Sequence, residues 1–395
     1  MGFTLSTQDP DLKTQDPEIY DVVQAFEAQN PNVHVNLEGQ TVDQHEQKMQ
    51  IGAQTNTLPD VFFVLNSLAQ QMQQQGKLLD LGPILSANGL SSEFTPNLLS
   101  PYKQNNVQYG LPQGTLVTGF FYNKAIFQKY GVAIPKTFDD LLAATKVFHA
   151  HGVTTIAQGA NQSDFSVWAF LTMLDRFGFE QKQAGLISGS TSYNNADFTR
   201  LYQDLQQLQK AGAFPSNITT QTYAQAVQSF IDGKTAMVDT GVWDSGKIDQ
   251  SSIASSVGFW PGPTFSDGLG NQQLVMDVAS APWVVSAAVK NNTAKYDAVA
   301  KFLQFYYSDA AGAIFAQNGD VPPTTYVPQV SANEPAFAAV LAAVHESGWS
   351  SPTNQPDLVV SPAAQSAMDT SFISIMEGAQ SPTSALNTVQ KALHS

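Results

Sequence analysis

Three short apolar runs alternate with amphipathic stretches at the start of the chain, and this order restricts the fold more than any other feature. Phe3, Thr4 and Leu5 read as a strand, and Ile19, Val22, Val23 and Phe26 then recur at helical spacing until Asn30 and Pro31 stop them. Val33, Val35 and Leu37 alternate with polar residues as a second strand, a polar helix follows over 44–53, and Pro59-Asp60 introduces the apolar strand 61–65. A βαβαβ order builds a parallel sheet with right-handed crossovers, so the chain belongs to the α/β class and not to the all-α or all-β classes.

The same alternation continues. Leu111-Pro112-Gln113-Gly114 breaks the pattern, and residues 119–124 resume it as a strand entering a short helix that ends at Gly131. Thr137-Phe138-Asp139-Asp140 has the form of a capping box, with Leu141, Leu142, Thr145 and Phe148 continuing its helix. Further helices are expected over 166–177, 197–211, 222–232 and 293–307, and strands over 257–260 and 282–289. From Pro335 onward only helix patterns occur, at about 335–346, 363–377 and 383–394. A segment without strands has to pack on a domain built by the rest of the chain. With 395 residues, two or three such units are expected.

Charged residues make up 13% of the chain, about half the usual share, and 33 acids against 18 bases give a net charge of −15. That balance disfavours nucleic acid and anionic membrane surfaces as partners. A surface of Gln, Asn, Ser and Thr also changes little as pH falls, which suggests an acidic working environment. The absence of cysteine excludes disulfides, thiolate metal sites and cysteine catalysis. No run approaches the roughly 18 apolar residues of a membrane span. Met1-Gly2 leads directly into a strand with no signal peptide, as in a cytosolic protein or in a mature chain whose export segment has been removed.

Residues 233–243 are the most informative stretch for function. Gly233 ends a helix whose apolar face is Tyr223, Ala226, Val227, Phe230 and Ile231; Ala236 to Val238 form a buried strand, and Trp243 follows on a glycine-punctuated turn. Open α/β sheets bind ligands at the carboxyl ends of their strands, where an aromatic ring serves as a stacking platform.

Taken in register, these segments resemble the extracellular solute-binding proteins of ATP-driven (ABC) importers, the family that includes the maltose-binding proteins. The residues that carry the resemblance are Val23 to Val33 with its Phe-Glu-x-x-Asn-Pro ending, Leu58-Pro59-Asp60-Val61-Phe62 and Gly76-Lys77-Leu78-Leu79-Asp80-Leu81. Tyr109-Gly110-Leu111-Pro112 with Tyr122-Asn123-Lys124, Pro135-Lys136-Thr137-Phe138 and the stretch through Trp243 complete it. It implies a two-lobed periplasmic-binding-protein fold, type II-like, with three interlobe crossovers and a ligand cleft between the lobes. Residues 3–112 and 277–322 would form the N-lobe, and 113–276 and 323–395 the C-lobe, with crossovers near 111–117, 274–280 and 321–325. The implied function is non-enzymatic capture of a neutral mono- or oligosaccharide by hinge closure and delivery to ABC permease subunits. A monomer without cofactor or metal is implied, either anchored outside the cell through an N-terminal lipid in the full-length protein or free in the periplasm.

Sugar sites combine aromatic platforms with planar polar groups, and the family pattern assigns these to particular residues. Trp243 is the stacking candidate, with core packing as its other role. Asn66 and Ser67 are expected to close the third strand as hydroxyl-binding or plain turn residues. The maltose-type members carry an aromatic and an acid in that loop, where Val64 and Ser67 stand here, a departure that counts against maltose itself. Gln8 and Asp9 leave the first strand as a ligand-contacting loop or a plain turn; Gln113 and Thr115 sit at the first crossover as cleft floor or hinge; Asp164 is a ligand contact or a helix cap; Asp277 lies in the second crossover as a hydroxyl ligand or a solvated hinge acid; Trp349 is a loop aromatic outside any helical stripe, a second platform or a plain loop residue. Trp168, Trp260 and Trp283 are expected to be structural. A glycoside hydrolase is the alternative, but it needs two facing carboxylates about 5–10 Å apart, and no such pair stands out. An anionic solute would need an arginine cluster, and the arginines, Arg176 and Arg200, fall on expected helices away from those loops.

Overall fold

A computed structural model describes residues 1–87, 89–161 and 167–394, without the side chains of 42 and 43. In chain order the strands used below are β1 (Gly2–Thr7), β2 (His34–Gly39), β3 (Val61–Phe63), β4 (Gly110–Pro112), β5 (Thr115–Asn123), β6 (Thr154–Ala157), β7 (Thr235–Gly241), β8 (Val257–Trp260), β9 (Met276–Ala279) and β10 (Pro282–Val285). The principal helices are α1 (Pro17–Gln29), α2 (Val42–Thr55), α3 (Asn66–Gln74), α4 (Phe138–Ala150), α5 (Trp168–Arg176), α6 (Ala196–Lys210), α7 (Tyr223–Ile231), α8 (Thr293–Tyr306), α9 (Pro335–Val344), α10 (Pro362–Met376) and α11 (Pro382–Ala392). The chain divides into two compact units, Met1–Leu116 with Val278–Val330 and Val117–Asp277 with Ser331–Ser395.

In the first unit the sheet order is β2-β1-β3-β10-β4. β1 runs parallel to β2 and β3, whereas β10 is antiparallel to both β3 and β4. The alternation in β1 buries Phe3 and Leu5 on the helix-covered face, where the Phe3 and Phe26 rings contact Phe302 of α8 at 5.4 and 5.3 Å. Trp283 of β10 is 0% exposed and meets Phe63 and Tyr306 edge-on. Burying a ring of that size contributes roughly 2–3 kcal/mol, so this tryptophan is a core residue, as expected.

The second unit has the sheet order β8-β5-β7-β6, with β9 also paired to β5. Its helices begin where the side chains allow. Thr137 caps α4 by accepting from Asp140 N at 3.2 Å while the Asp140 carboxylate accepts from Thr137 N at 3.0 Å. Thr222 and Gln225 form a second box on α7, and Gly233, at φ +70°, ends that helix in the left-handed conformation that glycine adopts without strain. The strand-free terminal helices α10 and α11 pack on α6, where Tyr202 meets the Ser371 hydroxyl at 2.5 Å and Asn194 donates to Asn387 at 2.6 Å.

Two local expectations are corrected. The strand expected over 282–289 ends at Val285, because Ser286 caps a short 3-10 turn, Ala287–Asn291, by accepting from Ala288 N at 3.3 Å. β3 ends at Phe63, so Asn66 and Ser67 open α3 instead of closing a strand. Among the described residues no helix is long and apolar enough to cross a membrane.

Candidate functional site

Strand register decides which of the candidate residues share an edge. In the first unit Leu5 and Ser6 of β1 lie beside Val61 and Phe62 of β3, so the carboxyl ends of both strands point the same way. β10 and β4 meet that edge through the Pro282–Pro112 pair. Gln8 and Asp9 after β1, Asn66 and Ser67 after β3, and Gln113 after β4 therefore leave the sheet on one side. Gly39 allows the first of these loops to form, since a Cβ there would lie 1.9 Å from the Asp9 carbonyl oxygen.

These side chains are not equally available. Asn66 is 6% exposed; its Oδ1 accepts from the Tyr109 hydroxyl at 2.8 Å and its amide donates to the Pro101 carbonyl at 3.4 Å, so it ties α3 to the chain before β4. Burial pushes the Tyr109 phenol up to about 12, which keeps it a donor. Thr115 donates to the Pro322 carbonyl at 3.3 Å, and the Gln113 carbonyl accepts from Tyr306 at 2.7 Å. Gly114 N–H donates to Ser280 Oγ at 2.8 Å. The Ser67 hydroxyl, by contrast, is buried without a partner among the described residues.

A polar network on the same edge escaped the sequence reading. Gln40, just after β2, accepts from Ser6 at 3.3 Å and lies 3.3 Å from His45 Nδ1, whose Nε2 is 2.7 Å from the Phe63 carbonyl. Burial lowers the His45 pKa, so the ring is neutral. Its members come from β1, β2 and α2, and no local spacing joins them.

In the second unit β6 and β7 run parallel, and Gly241 of β7 pairs with Thr118 near the start of β5. Trp243 thus leaves the carboxyl edge of this sheet together with residues 158–161, which follow β6. Gly241 is needed here, because a Cβ on it would fall 2.1 Å from the Trp243 ring. The half-buried indole packs edge-on against Trp168 at 5.0 Å and 77°, and Trp168 packs edge-on against Tyr223 at 5.4 Å. Trp243 Nε1 donates to the Tyr223 hydroxyl at 2.8 Å. That hydroxyl donates to the Asp244 carboxylate, which is 1% exposed and also accepts from Thr240 at 2.6 Å and Lys247 at 3.1 Å. Burial, reinforced by the Asp244 charge, pushes the Tyr223 phenol well up and keeps its proton in place. The result is a half-buried indole whose ring plane is fixed by Trp168, Tyr223 and Asp244. The sequence marks Tyr223 only as an apolar helix position and does not single out Asp244. The one sequence signal for this polar anchor is an acid immediately after the tryptophan.

The remaining candidates are dispersed. Asp164 lies outside the described residues. Asp277, in β9, has its carboxyl pushed up by burial, with His345 opposing. Trp349 lines a groove of about 710 Å³ within the second unit, together with Tyr122, Lys124, Gly258, Trp260 and Glu346. Tyr122 and Gly258 pair at the far end of β5 from Thr118, so Trp349 and Trp243 belong to different surfaces. Trp260 is 8% exposed, in keeping with a structural role. Arg176 is fully buried and donates to the carbonyls of Gln272, Pro261 and Leu274, and Arg200 pairs with Asp267. Both guanidinium groups are thus committed away from the Trp243 edge. Among the described residues no group of three or more His, Asp or Glu is arranged to hold a metal ion.

Residues 10–313 match the family model of the bacterial extracellular solute-binding proteins. The chain is 26% identical over 238 residues to an uncharacterized ABC transporter extracellular-binding protein of Pyrococcus horikoshii, covering 58% of this chain and 54% of that one. It is 23% identical over 322 residues to the multiple sugar-binding protein of Streptococcus mutans, covering 78% and 74%. To the melibiose/raffinose/stachyose-binding protein MelE of Bacillus subtilis it is 27% identical over 256 residues, covering 62% and 57%. It therefore spans little more than half the length of two of these three relatives. Among solved structures, a chitin oligosaccharide binding protein superimposes with a TM-score of 0.86 at 23% identity, covering 100% of this chain and 98% of that one. A raffinose complex of the binding protein RafE gives 0.78 at 16% identity, covering 100% and 98%. These likenesses show the α/β, two-lobed fold of solute-binding proteins. With the family model matched over most of its length, the chain belongs to the bacterial extracellular solute-binding proteins.

Proposed function

We propose that this protein is the capture component of an ABC sugar importer, binding a neutral mono- or oligosaccharide and presenting it to membrane permease subunits. The observation that carries the reading is Trp243, a half-open indole fixed by Tyr223 and Asp244 at the carboxyl edge of its sheet. A rigid ring in that position suits the apolar C–H face of a sugar. Relatives named for multiple sugars and for melibiose, raffinose and stachyose support the same class. The engagement of both arginines elsewhere speaks for a neutral solute over an anionic one.

In this reading Gln8, Asp9 and Ser67 supply hydrogen bonds from the first unit, with Asn66 and Thr115 holding the backbone around them. Residues near 111–117, 274–280 and 321–325 act as the crossovers by which the chain passes from one unit to the other. The protein works outside the cell as a monomer without enzymatic activity, held by an N-terminal lipid in its full-length form or free in a periplasm. A thermal-shift screen with mono- and oligosaccharides tests this, because a ligand that binds only the folded state raises Tm by mass action. A sugar that raises Tm and binds by calorimetry is the expected result. No shift and no heat across the panel, or turnover of an oligosaccharide, would overturn it.

A further inference from the structure

The strand that carries Trp243 to the surface also contains a carboxyl group with no obvious reason to be there. Asp239 lies in the middle of β7 and is 0% exposed. Its Oδ1 accepts from Ala169 N at 3.0 Å, in the first turn of α5, and the Gln158 side chain is its other hydrogen-bonding neighbour. Ala169 directly follows Trp168, the ring that packs edge-on against both Trp243 and Tyr223. The carboxyl therefore fastens the start of α5, and with it Trp168, to the strand beneath the aromatic platform.

Among the described residues no cation balances this acid. Asp239 sits opposite Phe120 of β5, beside β6 and under α5, and α7 packs on the same strand. The titratable side chains on those elements are Tyr122, Asp175, Arg176 and Tyr223, with Asp244 just beyond β7. None contributes a charge at Asp239. Burial is the dominant influence and pushes the carboxyl up to about 8, while the Ala169 N–H and the Gln158 side chain favour the charged form without prevailing.

We infer that Asp239 is a proton-dependent positioning residue for the Trp168–Tyr223–Trp243 platform, seated when protonated and displaced toward water when ionised, so that the platform is ordered in acid and loosens in mild base. The physical reason is that a buried carboxylate held only by neutral donors, with no cation beside it, is disfavoured in an apolar interior, and relieving it requires the start of α5 to move or water to enter. Either change shifts Trp168 against Trp243. This extends the sugar-binding reading of the platform, on which its functional consequence rests, and fits the low-charge surface expected of a protein working in acid.

Tryptophan fluorescence and near-UV circular dichroism of the sugar-free chain between pH 5 and 9 test the device itself. The wild type should show a transition with a midpoint near 8. Asp239→Asn, which keeps the shape and removes the titration, should show none, and Trp168→Phe should greatly reduce its amplitude. A flat wild-type profile, or a transition surviving in Asp239→Asn, overturns the inference. If that variant does not fold, an undiminished transition in Trp168→Phe overturns it equally. Affinities for raffinose, maltose and chitin oligosaccharides then test the functional link. Several-fold weaker binding at pH 9 than at pH 6 is expected in the wild type, with no such change in Asp239→Asn. A transition with sugar affinity independent of pH would sink the link to binding. A transition with no sugar bound at any pH leaves the proton device standing and removes the sugar reading.

Discussion

Replacing Trp243 by alanine separates the role of a ligand platform from that of a packing residue. The indole packs edge-on with Trp168 at 5.0 Å, has its N–H on the Tyr223 hydroxyl at 2.8 Å, and is only half buried. A sugar stacked on that face should lose about 1–3 kcal/mol on truncation, which is about a 5- to 150-fold rise in Kd. Folding stability should fall by about 2 kcal/mol, less than the roughly 3–5 of a fully buried ring, because part of the surface is already wet. Tyr223→Phe is the companion change. It keeps the ring and removes the hydroxyl, leaving the Trp243 N–H without its acceptor and Asp244 without one donor, at a cost of about 1–2 kcal/mol in stability. Its Kd should rise less than that of Trp243→Ala. Calorimetry with a sugar identified by thermal shift, alongside Tm for each variant, gives both numbers. Unchanged affinity in Trp243→Ala with a lowered Tm would refute the stacking role and return the residue to the core.

Other consequences of the structure can be tested separately. Arg176→Met should lower stability by about 3–5 kcal/mol, because three carbonyls on the segment 261–274 lose their buried donor; denaturant melts that match wild type would contradict this. Thr137→Ala removes one half of the α4 capping box and should cost about 1 kcal/mol, measured as a drop in Tm without loss of sugar affinity. Burial pushes Asp320 up to about 7, against the Val321 N–H, so folding retains a proton that the unfolded chain releases near 4. The sign follows: the stabilisation is complete below about pH 4 and is lost as pH rises through 7. Tm should therefore fall across that window, and Asp320→Asn should flatten the profile; a Tm that rises from pH 4 to 7 would be inconsistent with it.

The alternation of apolar periods was enough to place most elements, because a strand or helix that buries one face must repeat its apolar residues at 2 or 3.6. The α4 capping box, the stop at Gly233 and the strand-free terminal helices follow from the same local rules. The start of α3 was misjudged because Asn66 and Ser67 are as ordinary in a turn as in a first helical turn. Trp243 stood out in the sequence as an aromatic after a buried strand and a glycine. Its fixing by Tyr223 and Asp244 depends on a helix and a turn meeting across 20 residues of chain, which no periodicity encodes. The same is true of Asn66, whose amide is claimed by Tyr109 across 43 residues, and of Trp349, which register places on another surface. Asp239 shows the division most plainly: its position in an apolar run is visible in the sequence, but its ionisation is decided by neighbours that only folding brings together. Local periodicity determines which backbone forms, whereas burial and the partners of a polar group depend on long-range packing, so the tertiary structure alone decides which candidate side chains remain free to bind.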